Sequence, residues 1–374
     1  MKHLIYADNA ATTKLDIDAF EAMKPYLLDE YGNASQPYSF SRSPRKALQE
    51  ARQIIASCIN ADPDEIYFTS GGTESDNWAI KGVAFSSQER REIITSAFEH
   101  HAILNTCNFI ESMGYPVTYL SPNSSGCITT DTLESAITSQ TLLVSVMMSN
   151  NEIGTIQPIK QLAEITHSKG ALFHTDAVQC IGHTAIDVKS LGVDLLSASA
   201  HKFNGPKGIG FLYIKKGTKI EPLLNGGAQE QGYRAGTENV AAIVGMAVAL
   251  KKNCDKLFEN LNHILNLEKI LLCELKKANV NFVRNGQNTL PGNISVAFPG
   301  FEGEAIMHRL DLIGIQISTG SACDSVNTQI SHVLKAIKVN DFVAKGTIRI
   351  TLGKDNSLED VKLIAEALIK IVNK

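Results

Sequence analysis

Between Glu65 and Ile214 the chain repeats one pattern. A short apolar run is closed by small, polar or turn-forming residues, and most runs are followed by a stretch with helical spacing. The pattern predicts strands at 65–69, 92–96, 117–120, 142–148, 172–175, 194–198 and 210–214. Short apolar runs bounded by Gly and Pro read as strands. Strands alternating with helices need a mostly parallel sheet covered on both faces. The expected fold class is therefore α/β, with a mostly parallel, mixed seven-stranded sheet. In such sheets ligands bind beyond the carboxyl ends of the strands.

The flanking sequence has another texture. Asp16 to Tyr26 reads as a helix, Tyr31 to Pro37 as a polar loop, and Ser43-Pro44 as the capped start of a second helix. A further helix is expected from Trp78 to Phe85. Asn253 to Lys277 reads as one long amphipathic helix, after which strands at 293–298, 315–318 and 347–352 mix with helices in an α+β pattern. A chain of 374 residues is too long for one ordinary core. The expected division is a large cofactor-binding domain over 15–255. Residues 1–14 and 256–374 form the smaller α+β domain, which carries a mobile cysteine loop at about 318–330.

A net charge of -4 argues against a broad basic surface, so no direct nucleic-acid partner is expected. Val240 to Leu250, the most apolar stretch, is far below the ~20 residues that span a bilayer. The first residues lack the apolar core of a signal peptide. These features predict a soluble, cytoplasmic protein with no membrane partner. Seven cysteines, none in a CxxC pair, argue against a zinc site or a disulfide framework.

Several polar residues fall where the strands end. Lys202 lies between an apolar strand and a Gly/Pro turn. Burial there would favour its neutral amine, which can form a Schiff base with pyridoxal phosphate, although an ordinary loop lysine fits the local sequence too. Ser70-Gly71-Gly72-Thr73 joins a strand to a helix. Its backbone N–H groups and the Thr73 hydroxyl could cradle a phosphate, or simply cap the helix. Asp176 could hold a protonated pyridine nitrogen or cap the next segment, with Gln179 within reach of the ring oxygen. His100 suits ring stacking and proton transfer, or is a loop histidine. Asn151 could bind cofactor or substrate, or serve a turn. Arg349, flanked by isoleucines on a strand, could grip a carboxylate or lie exposed. Cys323 stands among small polar residues, a setting for a reactive thiol rather than a structural one.

Taken together these segments resemble the cysteine desulfurases of the NifS/IscS type, within the class V aminotransferase group. The likeness runs from Tyr6–Thr13 through Phe68–Asn77, Asn150–Gly154, His174–Gln179, Ser199–Lys202 and Arg234–Asn239 to Ser321-Ala322-Cys323. It implies the fold type I architecture of pyridoxal 5'-phosphate transferases. It also implies conversion of L-cysteine to L-alanine with a persulfide formed on Cys323. Lys202 resembles the Schiff-base lysine, and Thr73, Ser199, His201 and the Gly72 backbone resemble phosphate ligands. Thr237 resembles a residue that reaches the neighbouring subunit's phosphate, which implies a homodimer. Asp176 matches the pyridinium partner. Gln179 and Asn151 match contacts to the ring oxygen and the substrate. His100 matches the stacking proton-transfer residue, and Arg349 the carboxylate clamp.

The loop at 31–37 departs from the family's Gly-Asn-Pro-Ser-Ser pattern, so Asn33 is the weakest expected substrate contact. The chain also lacks, after its last helix, the tail with which some members dock a scaffold. The sulfur acceptor is expected to be a protein such as an iron-sulfur scaffold or a thiolation relay. No structural metal is expected, with Cys323 open to a passing iron-sulfur contact. A selenocysteine lyase or class V aminotransferase would need Lys202 and Asp176 without the loop thiol. A third alternative is a non-catalytic sulfur-trafficking or scaffold-binding protein with a vestigial site.

Overall fold

The computed structural model describes residues 4–87, 89–320 and 330–373. Its strands are β1 (Ile5–Tyr6), β2 (Ile66–Thr69), β3 (Glu92–Ser96), β4 (Val117–Leu120), β5 (Thr141–Ser145), β6 (Leu172–Asp176), β7 (Leu195–Ser199), β8 (Gly210–Ile214), β9 (Val283–Arg284), β10 (Asn293–Ala297), β11 (Ile315–Gln316) and β12 (Thr347–Thr351). The main sheet has seven strands in the order β2-β8-β7-β6-β5-β3-β4. Only β8 breaks the parallel arrangement, pairing antiparallel with β2 and β7. Every residue of β5, β7 and β8 is buried, which is why these strands read as unbroken apolar runs. One face packs around Phe173, Phe211, Ile55 and Met246, and the other around Trp78, Ile103, Leu195 and Leu212.

A three-stranded antiparallel sheet, β12-β10-β9, forms the second layer system. Ile294, Val296, Ile348 and Ile350 on its inner face meet Leu267 and Leu271 of one helix and Ile364 and Leu368 of another. The short β1 pairs in parallel with β11, Ile5 opposite Ile315, so the N-terminal arm joins this region. Val333, Leu334 and Ile337 pack instead with the large-sheet core.

Three local expectations are corrected. The helix expected at Trp78 begins at Gly72 and runs to Ser86. Gly71, at φ 148°, turns the strand into it, and a Cβ on Gly72 would come within 2.7 Å of Val178. The long helix expected from Asn253 starts at Leu257, and Asn253 belongs to the end of the helix before it, Val240–Asp255. The apolar spacing continues across the break because each helix buries its stripe in a different core: Ala249 and Leu250 in one, Ile264 and Leu267 in the other. Ser43 does not cap its helix, which starts at Arg42; its hydroxyl bonds to Glu30.

Candidate active site

The carboxyl ends of β5, β6 and β7 open into a cavity of about 560 Å³. One end of it is the start of helix Gly72–Ser86. The first N–H groups of a helix have no partner within it, and the helix dipole favours an anion there. Glu74 could cancel that attraction, but its carboxylate is already engaged. Burial works to raise it, yet hydrogen bonds from Arg234 (2.8 Å) and the Ser70 N–H (2.8 Å) outweigh burial and hold it below the usual carboxylate range. Thr73, Ser199 and His201 line the same cavity. His201 Nδ1 lies 3.1 Å from the Thr12 hydroxyl. Burial and the charges of Lys202 and Lys207 push its imidazole down to about 4.

Asp176 ends β6 and Lys202 ends the turn after β7, and these strands are parallel neighbours. The Asp176 carboxylate is buried and accepts the Val178 N–H at 2.9 Å. Burial pushes it up to about 6, against the opposing pull of that N–H and of Lys202. The Lys202 ammonium donates to the Ala10 and Ala11 carbonyls of the N-terminal arm, the latter at 2.9 Å. Gln179 Nε2 reaches the same Ala10 carbonyl at 3.1 Å.

His100 caps the helix His101–Ser112, and its Nδ1 accepts the Ala102 N–H at 3.1 Å. A neutral imidazole that accepts at Nδ1 carries its proton on Nε2. Burial, reinforced by the charges of Lys202, His101 and His332, pushes His100 down to about 4, so at neutral pH it is that uncharged tautomer.

Arg349 approaches from β12. Its isoleucine neighbours face the apolar core, whereas its own side chain, 2% exposed, lines the cavity. Nη2 pairs with Asp8 at 2.8 Å and Nη1 donates to the Asn151 carbonyl at 3.0 Å. Nε is buried with no hydrogen-bond partner among the described residues. The Ser318 and Arg349 backbones exchange hydrogen bonds, so the segment leading into 321–329 starts beside this wall. Cys323 lies outside the described residues.

Ten of the expected residues thus line one cavity: Gly72, Thr73, His100, Asn151, Asp176, Gln179, Ser199, His201, Lys202 and Arg349. Asn33 and Thr237 do not. They line a separate cavity of about 200 Å³ with Tyr31 and Asn239. From sequence alone no role is assigned to Asp8, Ala10, Thr12 or Asp76, although all four lie within the segments singled out above.

The arrangement fits pyridoxal 5'-phosphate. An anion-binding end, a buried carboxylate and an amine share one cavity, and an unpartnered guanidinium Nε lies at its wall. Comparison with known proteins agrees. The sequence model of the class-V aminotransferases matches residues 5–364. The chain belongs to this family. Its cofactor is accordingly pyridoxal 5'-phosphate.

As a class-V aminotransferase family member it is 48% identical to the cysteine desulfurase IscS of Dictyoglomus turgidum, over 100% of this chain and 96% of that one. It is 47% identical to the cysteine desulfurase IscS of Methanosarcina thermophila, over 99% and 92%. Among solved structures, a NifS-like protein superposes with a TM-score of 0.93 at 37% identity, covering 99% of this chain and all of the other. SspA in complex with cysteine gives 0.83 at 37% identity, covering 96% and 100%.

Proposed function

We propose that this protein is a cysteine desulfurase: L-cysteine and the Cys323 thiol become L-alanine and a Cys323 persulfide. The observation that carries the reading is the convergence of the Lys202 amine, the Asp176 carboxylate and the helix start at Gly72-Thr73 on the cavity that Arg349 closes. Bound pyridoxal phosphate supplies an electrophilic carbon and a ring that draws electrons from the substrate's Cα. Gly72, Thr73, Ser199 and His201 would hold its phosphate, and Asp176 its ring nitrogen. Gln179 and Asn151 would contact the ring oxygen and the substrate.

Arg349 orients the substrate by its carboxylate, using the Nε that has no partner among the described residues. Lys202 Nζ takes the Cα proton, and the Ala10 and Ala11 carbonyls offer it a resting place when it carries charge. His100 covers the ring and gives a proton from Nε2, the tautomer that its helix cap selects. Cys323 receives the sulfur and delivers it to an acceptor protein such as an iron-sulfur scaffold, in the cytoplasm.

The working unit is a homodimer in which Thr237 reaches the partner's phosphate, and Asn33 is the weakest of the substrate contacts. Exposed Leu27 and Tyr31 line the Asn33–Thr237 cavity, exposed Phe40 packs edge-on against Tyr31, and this apolar patch supports such an interface. The separate cluster that joins Ile5 and Ala7 to Ile294 and Ile364 supports a division into 15–255 and 1–14 with 256–374, although Leu290, Val333, Leu334 and Ile337 pack with the large-sheet core.

The test is incubation of the purified protein with cysteine. Alanine should form, and mass spectrometry should find one added sulfur on Cys323. Cys323→Ala should abolish sulfur transfer while cofactor binding persists. Alanine formation with a persulfide acceptor in that variant would refute the mechanism.

A further inference from the structure

Beside Asp176 stands a second carboxyl that the chemistry above does not use. Asp76 lies one turn into helix Gly72–Ser86, lines the cavity and is 1% exposed. Its Oδ1 has no hydrogen-bond partner among the described residues and lies 3.8 Å from His174 Nε2. His174 supplies no cation. Its Nδ1 lies 2.8 Å from the Ser145 hydroxyl and its Nε2 3.0 Å from the Ser197 hydroxyl, and burial pushes it down to about 3.

The other ionisable groups around Asp76 are acids. Asp176 is one; the hydroxyl of its register partner on β7, Ser197, bonds to the Asp76 carboxyl and opposes the effect of burial without outweighing it. Glu99 is the other. It is fully buried, accepts the Met147 N–H at 2.9 Å and the Ser96 hydroxyl, and has an Oε2 without a partner among the described residues. Burial pushes Glu99 up to about 8. Lys202 favours the charged form of Asp176, and no lysine or arginine pairs with Asp76 among the described residues.

A buried carboxylate with no counter-ion costs several kcal/mol, and keeping the proton avoids that cost. Two carboxyls in one site do not both ionise readily, and the one nearer a cation ionises first. We propose that Asp76 keeps its proton at neutral pH, leaving Asp176 as the charged carboxyl that the cofactor's ring nitrogen meets. Asp76 is then a positioning residue acting through Asp176. An ionised Asp76 would raise the proton affinity of Asp176 and favour its neutral form. This deepens the cofactor reading above and rests on it.

The test uses the full chain with side-chain carboxyl-13C aspartate, with pyridoxal phosphate bound and again after its removal. One aspartate signal should stay in the acid form at pH 7 in both samples and vanish in Asp76→Asn. In the cofactor-free protein Asp176 should titrate near 6, and Asp76→Asn should move that titration by less than about half a unit. A larger downward move would mean that a like charge had been removed, and would overturn the proposal. So would a wild-type protein whose aspartates are all ionised at pH 7, a result that needs no variant to fold. The measurement involves no cysteine, so it stands or falls apart from sulfur transfer. A protein that made no persulfide could still show the protonated aspartate.

Discussion

The wall formed by the tips of β6 and β7 is set by sheet register, whereas the wall facing it is set by a few polar contacts. On the first, Asp176 and Ser199 close strands whose residues are almost all buried, and Lys202 follows three residues later. On the second, Arg349 is aimed by the Asp8 carboxylate and the Asn151 carbonyl, and the N-terminal arm is laid across the opening. Groups whose protonation must be moved lie where water is excluded. The group that would select the substrate lies on the wall that two hydrogen bonds could re-aim. The difference assigns bond-making to one side and recognition to the other.

The comparison can be broken most directly at Lys202. Lys202→Ala should lower the rate of alanine formation by about 10⁴-fold or more, because it removes the proton-moving amine itself. The cofactor's absorption spectrum should change with it. A variant within tenfold of wild type would take the chemistry off this wall. Arg349→Ala should lower kcat/KM for cysteine by about 100-fold, mostly through KM, and Arg349→Lys should recover little of it, since one ammonium cannot replace the planar fork. A loss confined to kcat would put Arg349 on the chemical side.

The acid response sharpens the contrast. Asp176 titrates near 6 in the folded protein and near 3.8 unfolded, so it adds stability below 3.8 that is lost as pH rises through 6. His100 works the other way. Its folded value near 4 lies below 6.5, so it adds stability above 6.5 that is lost as pH falls through 4. The two oppose each other between pH 6.5 and 4. Asp176→Asn removes one side, so the cofactor-free variant should lose about 2 kcal/mol more stability than wild type on acidification from pH 7 to 4, read by urea denaturation. An unchanged acid response would mean that Asp176 is not desolvated. The smallest effect is expected at Asp8. Asp8→Asn should raise KM about fivefold with kcat nearly unchanged, because the Asn151 carbonyl still holds one guanidinium nitrogen. A lower KM would mean that Asp8 competes with the substrate for Arg349 instead of aiming it.

The seven-stranded sheet was legible because most of its strands are buried on both faces and read as plain apolar runs. The placement of Asp176 and Lys202 on adjacent strand tips was legible for the same reason. The early start of the helix at Gly72 was not. Gly-Gly-Thr has poor helix propensity, and packing against Val178 and the Arg234–Glu74 pair overrides it. Asp76 was passed over because an aspartate inside a helix usually faces water. Asp8 was passed over because its partner lies on β12, a pairing that no local pattern encodes. Asn33 and Thr237 share a wall with each other rather than with Lys202, which spacing along the chain could not reveal.

The pairing of Ile5 with Ile315 also orders events during synthesis. A ribosome makes Ala10 and Ala11 long before β11 and β12, so the arm has no anchor until nearly the whole polypeptide has emerged. The carbonyls that receive the Lys202 ammonium, and the carboxylate that aims Arg349, can reach their stations only after that. A nascent or truncated chain could build the central sheet and still lack a finished reaction chamber, which delays any reactive chemistry until the molecule is whole.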